Sequence, residues 1–268
     1  MSLNDPRIKK QAKILVDYSL KIKKGENVVI LAEFVAKPLA LEVYKLLIKR
    51  GANEIKVHFG DYEDFVFSAI TEVDWEKKFK EQEKLRKRVD ATSEVHIVGV
   101  GTDLKLGIAG RKAENAGGKY NMPDGEVFTS VVEDQANGFI TFSYPALYLG
   151  REYSDVRLEF KNGKVVKATA SKGEKDLQKI LNTDKGARII GELGLGNNYK
   201  ITRFTKDILF DEKIGGSIHL ALGRGYKETL SKNESAIHWD MIKDLRRVGQ
   251  IFFDNKLVQR NGKWLINL

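Results

Sequence analysis

Two of the four histidines in this chain, His219 and His238, stand in its C-terminal half within segments that also carry carboxylates. In His238-Trp239-Asp240 an extended backbone would turn the imidazole and the carboxylate to the same side, since strand side chains alternate with a period of two. Both could then reach one metal ion. For the tripeptide alone, a satisfied histidine beside a helix cap is the better reading. Three glutamates join the set: Glu126 in Asn121-Met-Pro-Asp-Gly-Glu126-Val-Phe, Glu192 in Gly191-Glu192-Leu-Gly-Leu-Gly196, and Glu212 in Leu209-Phe-Asp-Glu212. Each lies among apolar or glycine residues, and a carboxylate beside a buried strand is costly unless it meets a cation. That cation is either a metal or one of the 46 lysines and arginines, and for each glutamate taken singly the ion pair is the better reading. For Glu192 a plain turn after the preceding helix is a further reading. Taken together, three glutamates, two histidines and an aspartate suit two divalent cations of the zinc, cobalt or manganese type. No short signature such as His-Glu-x-x-His accompanies them.

Other chemistries find little support. The chain has no cysteine, which excludes a disulfide framework, a cysteine nucleophile and a thiolate metal site. No Gly-x-Ser-x-Gly elbow is present. The Gly194/Gly196 and Gly223/Gly225 pairs lack the strand, glycine loop and helix that would cradle a nucleotide, and Gly101-Thr-Asp103 reads as a turn. The net charge of +9 comes from 46 basic against 37 acidic residues, so positive charge is interspersed with negative. Its densest run, Lys77, Lys78, Lys80, Lys84, Arg86, Lys87 and Arg88, shares its segment with Glu76, Glu81 and Glu83. A solvated helix face is the better reading there, and no nucleic-acid partner is expected. No apolar run is long enough to cross a bilayer, and lysines interrupt the first 24 residues where a signal peptide would be apolar. A cytoplasmic protein without a membrane partner is expected.

The elements that must position these residues fall into two textures. Asp5 and Pro6 start a helix, with Asn4 before them and Ile8, Ala12, Leu15, Ser19 and Ile22 at helical spacing up to Lys24-Gly25. An apolar run at 28–32, a helical pattern at 38–50 stopped by Gly51, and a second β-rich run at 54–59 make a βαβ unit with a parallel strand pair. Residues 74–91 read as a charged helix whose apolar stripe is Trp75, Phe79, Leu85 and Val89, and 95–100 read as a strand. Beyond Gly101, glycine-rich turns alternate with short strands. Asn162-Gly163 between alternating segments at 157–160 and 164–168 signals a hairpin. Helices are expected at 174–190 and from Asp240 to about 247, with Asp240 near an N-cap. The predicted fold is an α/β N-terminal domain over residues 1–100 and an α+β C-terminal domain over 101–268, rich in antiparallel strands and carrying the metal site.

From Gly101 onward the chain resembles the aminopeptidase T family, also known through aminopeptidase S, which comprises two-metal metalloaminopeptidases. The motifs that carry the resemblance are Gly101-Thr-Asp-Leu104, Asn121-Met-Pro-Asp-Gly-Glu-Val-Phe-Thr129, Gly191-Glu192, Phe210-Asp-Glu212, His219-Leu-Ala-Leu-Gly223 with Tyr226, and Asn233-x-Ser-Ala-Ile-His-Trp-Asp240. Their joint occurrence in this order is what is specific. The resemblance implies that Glu126, Glu192, Glu212, His219, His238 and Asp240 are ligands of two divalent metal ions and that Tyr226 is the catalytic tyrosine. Glu192 is also assigned a proton relay. The implied substrates are peptides with a free N-terminus, and the implied assembly is a homodimer. The first hundred residues match the family in style only, and family members are longer before Gly101. A metal-binding relative without peptidase activity, acting as scaffold or regulator, and a basic nucleic-acid-binding module are the alternatives.

Overall fold

The computed structural model describes residues 5–33, 36–60 and 73–266. The chain divides into two compact units, Met1–Glu76 with Gly117–Asp124, and Lys77–Ala116 with Gly125–Leu268. In the first unit, Asp5 caps α1 (Pro6–Lys13) by accepting from the Arg7 N–H at 2.9 Å, with Pro6 in the first turn. Asn4 lies outside the described residues. A π-helical turn, Ile14–Ser19, continues α1, so the single helix expected through Ile22 ends sooner, and Lys21 leaves at a φ of 51°. Then follow β1 (Asn27–Glu33), α2 (Lys37–Arg50) and β2 (Glu54–Gly60). β1 and β2 pair in parallel, Asn27 opposite Glu54, as the βαβ reading requires. Gly51, at a φ of 76°, closes α2 in the left-handed conformation that a side chain would strain. Ala12, Val16, Val43 and Leu47 form the core of this unit.

The second unit holds the remaining elements and takes the next helix from Lys77 onward. The helix α3 (Trp75–Asp90) leads into β3 (Glu94–Gly99), β4 (Thr102–Gly107), β5 (Ala113–Ala116), β6 (Glu126–Thr129) and β7 (Ala136–Thr141). Next come β8 (Ala146–Tyr148), β9 (Arg151–Tyr153), β10 (Arg157–Lys161), β11 (Lys164–Thr169) and α4 (Glu174–Leu181). The chain continues through β12 (Ile190–Gly196), α5 (Ile208–Asp211), β13 (Ser217–Gly223), β14 (His238–Asp244), β15 (Gly249–Phe253), β16 (Lys256–Arg260) and β17 (Lys263–Trp264). An eight-stranded sheet has the order β11-β10-β7-β4-β3-β15-β16-β17, and a five-stranded sheet has the order β14-β13-β12-β6-β5. The hairpin expected at Asn162-Gly163 joins β10 to β11, with both residues at positive φ, 48° and 81°. One buried cluster takes Ile97, Leu104, Ile140 and Leu158 from the larger sheet and Val127, Leu193, Leu220 and Trp239 from the smaller.

The five-stranded sheet separates two kinds of side chain by parity alone. Glu126 lies opposite Gly196, Gly194 opposite both Phe128 and His219, Ala221 opposite both Glu192 and Asp240, and Gly223 opposite His238. Directly opposed residues share a face. Glu126, Glu192, His219, His238 and Asp240 therefore share one face, and Val127, Leu193, Leu195, Leu220, Leu222, Trp239 and Met241 the other. A bulge makes this register possible, because β12 shifts between Ile190 and Glu192. Ile190 pairs with Leu222 on the apolar face and Glu192 with Ala221 on the polar one, although two residues apart in a regular strand share a face. Gly191 is the extra residue, and a Cβ there would stand 2.4 Å from the Gly223 carbonyl oxygen. The alternative of a plain turn at Glu192 is thereby replaced by a bulged strand.

Residue 100, where the texture changes, lies in the turn between β3 and β4 of one sheet, and the compact units divide at Glu76/Lys77. Two helix expectations are corrected. The helix expected over 174–190 stops at Leu181, and Ile190 already begins β12. The helix expected from Asp240 is instead β14, and Asp240 caps nothing: pairing with β13 overrides a weak local helical pattern. Asp184 explains the early stop of α4. Its carboxylate accepts from the Gly186 and Ala187 N–H groups at 2.9 Å each, from the Ala236 N–H at 2.7 Å and from the Ser235 hydroxyl at 2.8 Å. It thus turns the chain after α4 and pins the segment entering β14 just before His238.

The Ala236 N–H, helped by Ser235, Gly186 and Ala187, holds the Asp184 carboxyl below the usual carboxylate range against the effect of burial. A depressed folded pKa gives stability that is present above the unfolded value of about 4 and lost as pH falls through the folded value. Asp184→Ala is expected to lower the Tm by roughly 2–4 °C near pH 7, with the gap to the parent closing below about pH 4. Thermal melts followed by circular dichroism across that range check it, and a gap independent of pH would refute the assignment.

Candidate metal centre

The polar face of the five-stranded sheet gathers every carboxylate and imidazole singled out above. Glu126 comes from β6, Glu192 from β12, His219 from β13, and His238 and Asp240 from β14. Glu212 arrives from outside the sheet, at the end of α5, which Asp207 caps through the Leu209 N–H. Three groups have ligand atoms that all lie within 4.8 Å of one another: Glu126, Glu192 and His219; Glu192, His238 and Asp240; and Glu212, His219 and Asp240. Burial grades along the cluster, from His219 at 1% exposed, past the partly buried His238, to Tyr226 at 43%.

Both imidazoles are oriented the same way. His238 Nδ1 lies 2.7 Å from the Arg224 carbonyl and His219 Nδ1 lies 3.3 Å from the Glu212 carbonyl. Each Nδ1 thus donates its proton to a backbone oxygen, which leaves each Nε2 facing the cluster. His219 Nε2 is 3.3 Å from Glu192 Oε1 and 3.6 Å from Glu126 Oε2. His238 Nε2 is 3.5 Å from Glu192 Oε2 and 3.4 Å from Asp240 Oδ2. A neutral Nε2 is an acceptor aimed at acceptors, so each contact needs a cation between its partners, either a proton or a metal. Glu126 Oε2 and Asp240 Oδ1, both buried, have no hydrogen-bond donor. These orphaned oxygens and the hard, nitrogen- and oxygen-only donor set fit a divalent cation.

Protons alone can fill the site only by moving several groups far from their ordinary titration. Burial works against a charged His219, yet the hydrogen bond to Glu192 and the charges of Glu126, Glu192 and Glu212 push it up to about 10. His238 is likewise opposed by burial and raised to about 9 by Asp240 and Glu192. Burial pushes Glu126 up to about 8 against the pull of Lys213, and it raises Glu212 as well. Asp240 is held low despite its burial, chiefly by His238.

Tyr226 sits in the segment between β13 and β14, its ring 5.2 Å from that of His238 and edge-on to Phe128 at 5.5 Å. Burial and the surrounding carboxylates raise its pKa, so the phenol keeps its proton and is available as a donor. Asn233 steadies this segment by donating to the Gly186 and Gly223 carbonyls at 3.0 and 2.6 Å.

Three supporting residues escaped the sequence reading. Lys213, fully buried, contacts Glu126 Oε1 at 3.3 Å and also bonds Glu212 Oε1. The alternative of an ion pair is thus met in part, for these two glutamates. A lysine next to Glu212 between Phe210 and Ile214 was the available signal. Gln82, in the helix read as a solvated face, is buried and donates to the Glu126 carbonyl at 2.8 Å. Gly194 lies under the His219 ring, where a Cβ would stand 1.9 Å from Cε1.

The fold and this cluster together define a mixed α/β protein whose smaller sheet presents a candidate metal centre on one face. Residues 4–69 and 61–264 match the family described as thermophilic metalloprotease (M29), and the chain belongs to that family. The match reaches back through the first hundred residues, where the sequence reading found likeness in style only. The chain is 30% identical over 201 residues to aminopeptidase T of Thermus thermophilus, an alignment covering 64% of this chain and 49% of that protein. It is 32% identical over 218 residues to aminopeptidase AmpS of Bacillus subtilis, covering 68% and 53%. The chain thus spans about half the length of the curated relatives it matches. Among solved structures, wild-type AmpT from Thermus thermophilus superposes with a TM-score of 0.83 at 19% identity, covering 97% of this chain and 99% of that one. A 2,5-dihydroxypyridine dioxygenase from Pseudomonas putida KT2440 superposes with a TM-score of 0.71 at 13% identity, covering 99% and 98%. At those identities the likeness is one of fold. Among the described residues, no helix is long and apolar enough to cross a membrane.

Because the His219 ring fills the space over Gly194, Gly194→Ala must displace the imidazole or the strand. A loss of about 1–3 kcal/mol of folding stability is expected from such overpacking, together with a shifted His219 ring resonance in histidine-detected NMR. An unchanged ring resonance would show that the close approach is not required.

Proposed function

We propose that this protein is a metal-dependent aminopeptidase that hydrolyses the N-terminal peptide bond of peptides, with its catalytic machinery on the polar face of the five-stranded sheet, within residues 101–268. The observation that carries the reading is the pair of imidazole Nε2 atoms aimed at carboxylate oxygens in a buried cluster, in a chain of a metalloprotease family. Three overlapping ligand groups offer more donors than one tetrahedral ion takes, which favours two ions of the zinc, cobalt or manganese type. Glu126, Glu192, Glu212, His219, His238 and Asp240 would hold them. When bound, such ions supply Lewis acidity and activate water near neutral pH.

The remaining work falls to the chain's own groups. Glu192, with one oxygen toward each imidazole, is placed to take a proton from the attacking water and pass it to the departing amine. Tyr226 donates its O–H to the oxygen that becomes negative at the scissile carbonyl. His238, its Nδ1 tied to Arg224, keeps its Nε2 directed into the site. Four carboxylates in one cluster favour a protonated α-amine, which would confine cleavage to the substrate's free N-terminus.

Metal-stripped protein should be inactive on a panel of aminoacyl-p-nitroanilides and gain activity when zinc, cobalt or manganese is restored, while His238→Ala stays inactive. Tyr226→Phe is expected to lower kcat about 100- to 1,000-fold with metal binding unchanged. Metal uptake without turnover on any substrate would support the scaffold reading instead, and salt-dependent nucleic-acid binding without metal uptake would support the basic-module reading.

A further inference from the structure

We infer that Lys213 is a positioning residue of the metal centre, which holds Glu126 and Glu212 by one carboxylate oxygen each so that the cluster is assembled before an ion arrives. The inference rests on the reading of this cluster as a metal site. Lys213 is among the largest fully buried side chains of the described structure. A lysine ammonium is almost never buried to this degree unless it is paired. Its carboxylate partners are Glu126 Oε1 at 3.3 Å and Glu212 Oε1.

The side chain springs from a fixed point. Lys213 donates its N–H to the Phe210 carbonyl at 3.1 Å, and its own carbonyl accepts from the Asn198 N–H at 3.0 Å. From there the ammonium ties Glu126, on a central strand, to Glu212, which no strand carries. The two oxygens of Glu126 are thereby divided. Oε1 faces Lys213, while Oε2, 3.6 Å from His219 Nε2, has no hydrogen-bond donor. A lysine competing with metal would take the oxygen that faces the imidazole, whereas this one takes the other. Glu212 needs such a tether most. It follows a four-residue helix, and nothing in a strand register fixes its side chain. Without Lys213, the two buried carboxylates would lose the side chain that joins them, and the ligand set would have to be gathered at the moment of binding.

Loss of an outer-sphere partner of a metal ligand typically weakens metal affinity about 10- to 100-fold, and that is the effect expected of Lys213→Met. The zinc dissociation constant of metal-stripped protein would be measured by chelator competition, with circular dichroism to confirm the fold. Because the chain has no cysteine, Lys213→Cys can be aminoethylated in the unfolded chain and refolded, which rebuilds a lysine-like ammonium and should restore wild-type affinity. Lys213→Gln serves if the methionine variant does not fold, with the same loss expected. Zinc binding by either folded variant as tight as in the parent, or tighter, would overturn the inference. So would failure of both neutral variants to fold, since the lysine would then serve as a counter-ion for folding. If the parent itself takes up no zinc, cobalt or manganese, the metal reading of the site fails, and that result is distinct from the others.

Discussion

Acceptor atoms facing acceptor atoms are the constraint around which the second unit is arranged. Two imidazole Nε2 atoms and four carboxylates meet on a buried sheet face, and the arrangement is stable only with positive charge among them. Every neighbouring feature contributes to that condition. The Arg224 and Glu212 carbonyls fix which nitrogen of each imidazole faces inward. Lys213 brings its side-chain amino group to Glu126 and Glu212. Gly194 leaves the room that the His219 ring occupies.

A single sheet solves a conflict that the same residues would otherwise create. The strands β12 and β13 are buried along their whole length, so both faces lie away from water, and one of them is crowded with charge. Strand alternation keeps the two kinds of side chain apart. Leu193, Leu195, Leu220 and Leu222 complete a hydrophobic core while Glu192 and His219, one residue away in sequence from core positions, converge on the other side. The bulge at Gly191 is indispensable here. If Gly191 were paired in a regular strand instead of bulged, Glu192 would share a face with Ile190 and turn into the apolar core.

Much of this was legible in the residues. The βαβ unit, the charged helix and the Asn162-Gly163 hairpin follow from local periodicity and turn chemistry, which are short-range properties. The structure brings together all six proposed ligands, because the motifs around them are distinctive. What stayed hidden depends on long-range pairing. Asp240 has a locally helical surrounding, and only its partner strand makes β14 of it. Asp184 closes its turn by reaching across to Ser235 and Ala236, a contact no window around α4 contains. Gln82 looked like one more polar residue between Glu81 and Glu83, yet it is the one that turns inward and supports β5 and β6. Periodicity places a residue on a face but does not say what that face will meet.

The same fold is carried by an aminopeptidase and by a dioxygenase, so the architecture does not choose the reaction, and the choice must rest on the donors. Non-haem iron oxygenases characteristically use two histidines and one carboxylate on a single ion, with the remaining positions open for oxygen and substrate. Among the described residues, each of the three ligand groups here has the opposite balance, one histidine and two carboxylates, and none contains both His219 and His238. Glu192 lies between the two imidazoles and separates them. A carboxylate-rich set of this kind lowers the charge of a hard dication and spreads the histidines over two positions. On the proposed reading, that set suits Lewis-acid hydrolysis by paired ions better than redox chemistry at one, and it differs from the two-histidine, one-carboxylate set characteristic of such oxygenases.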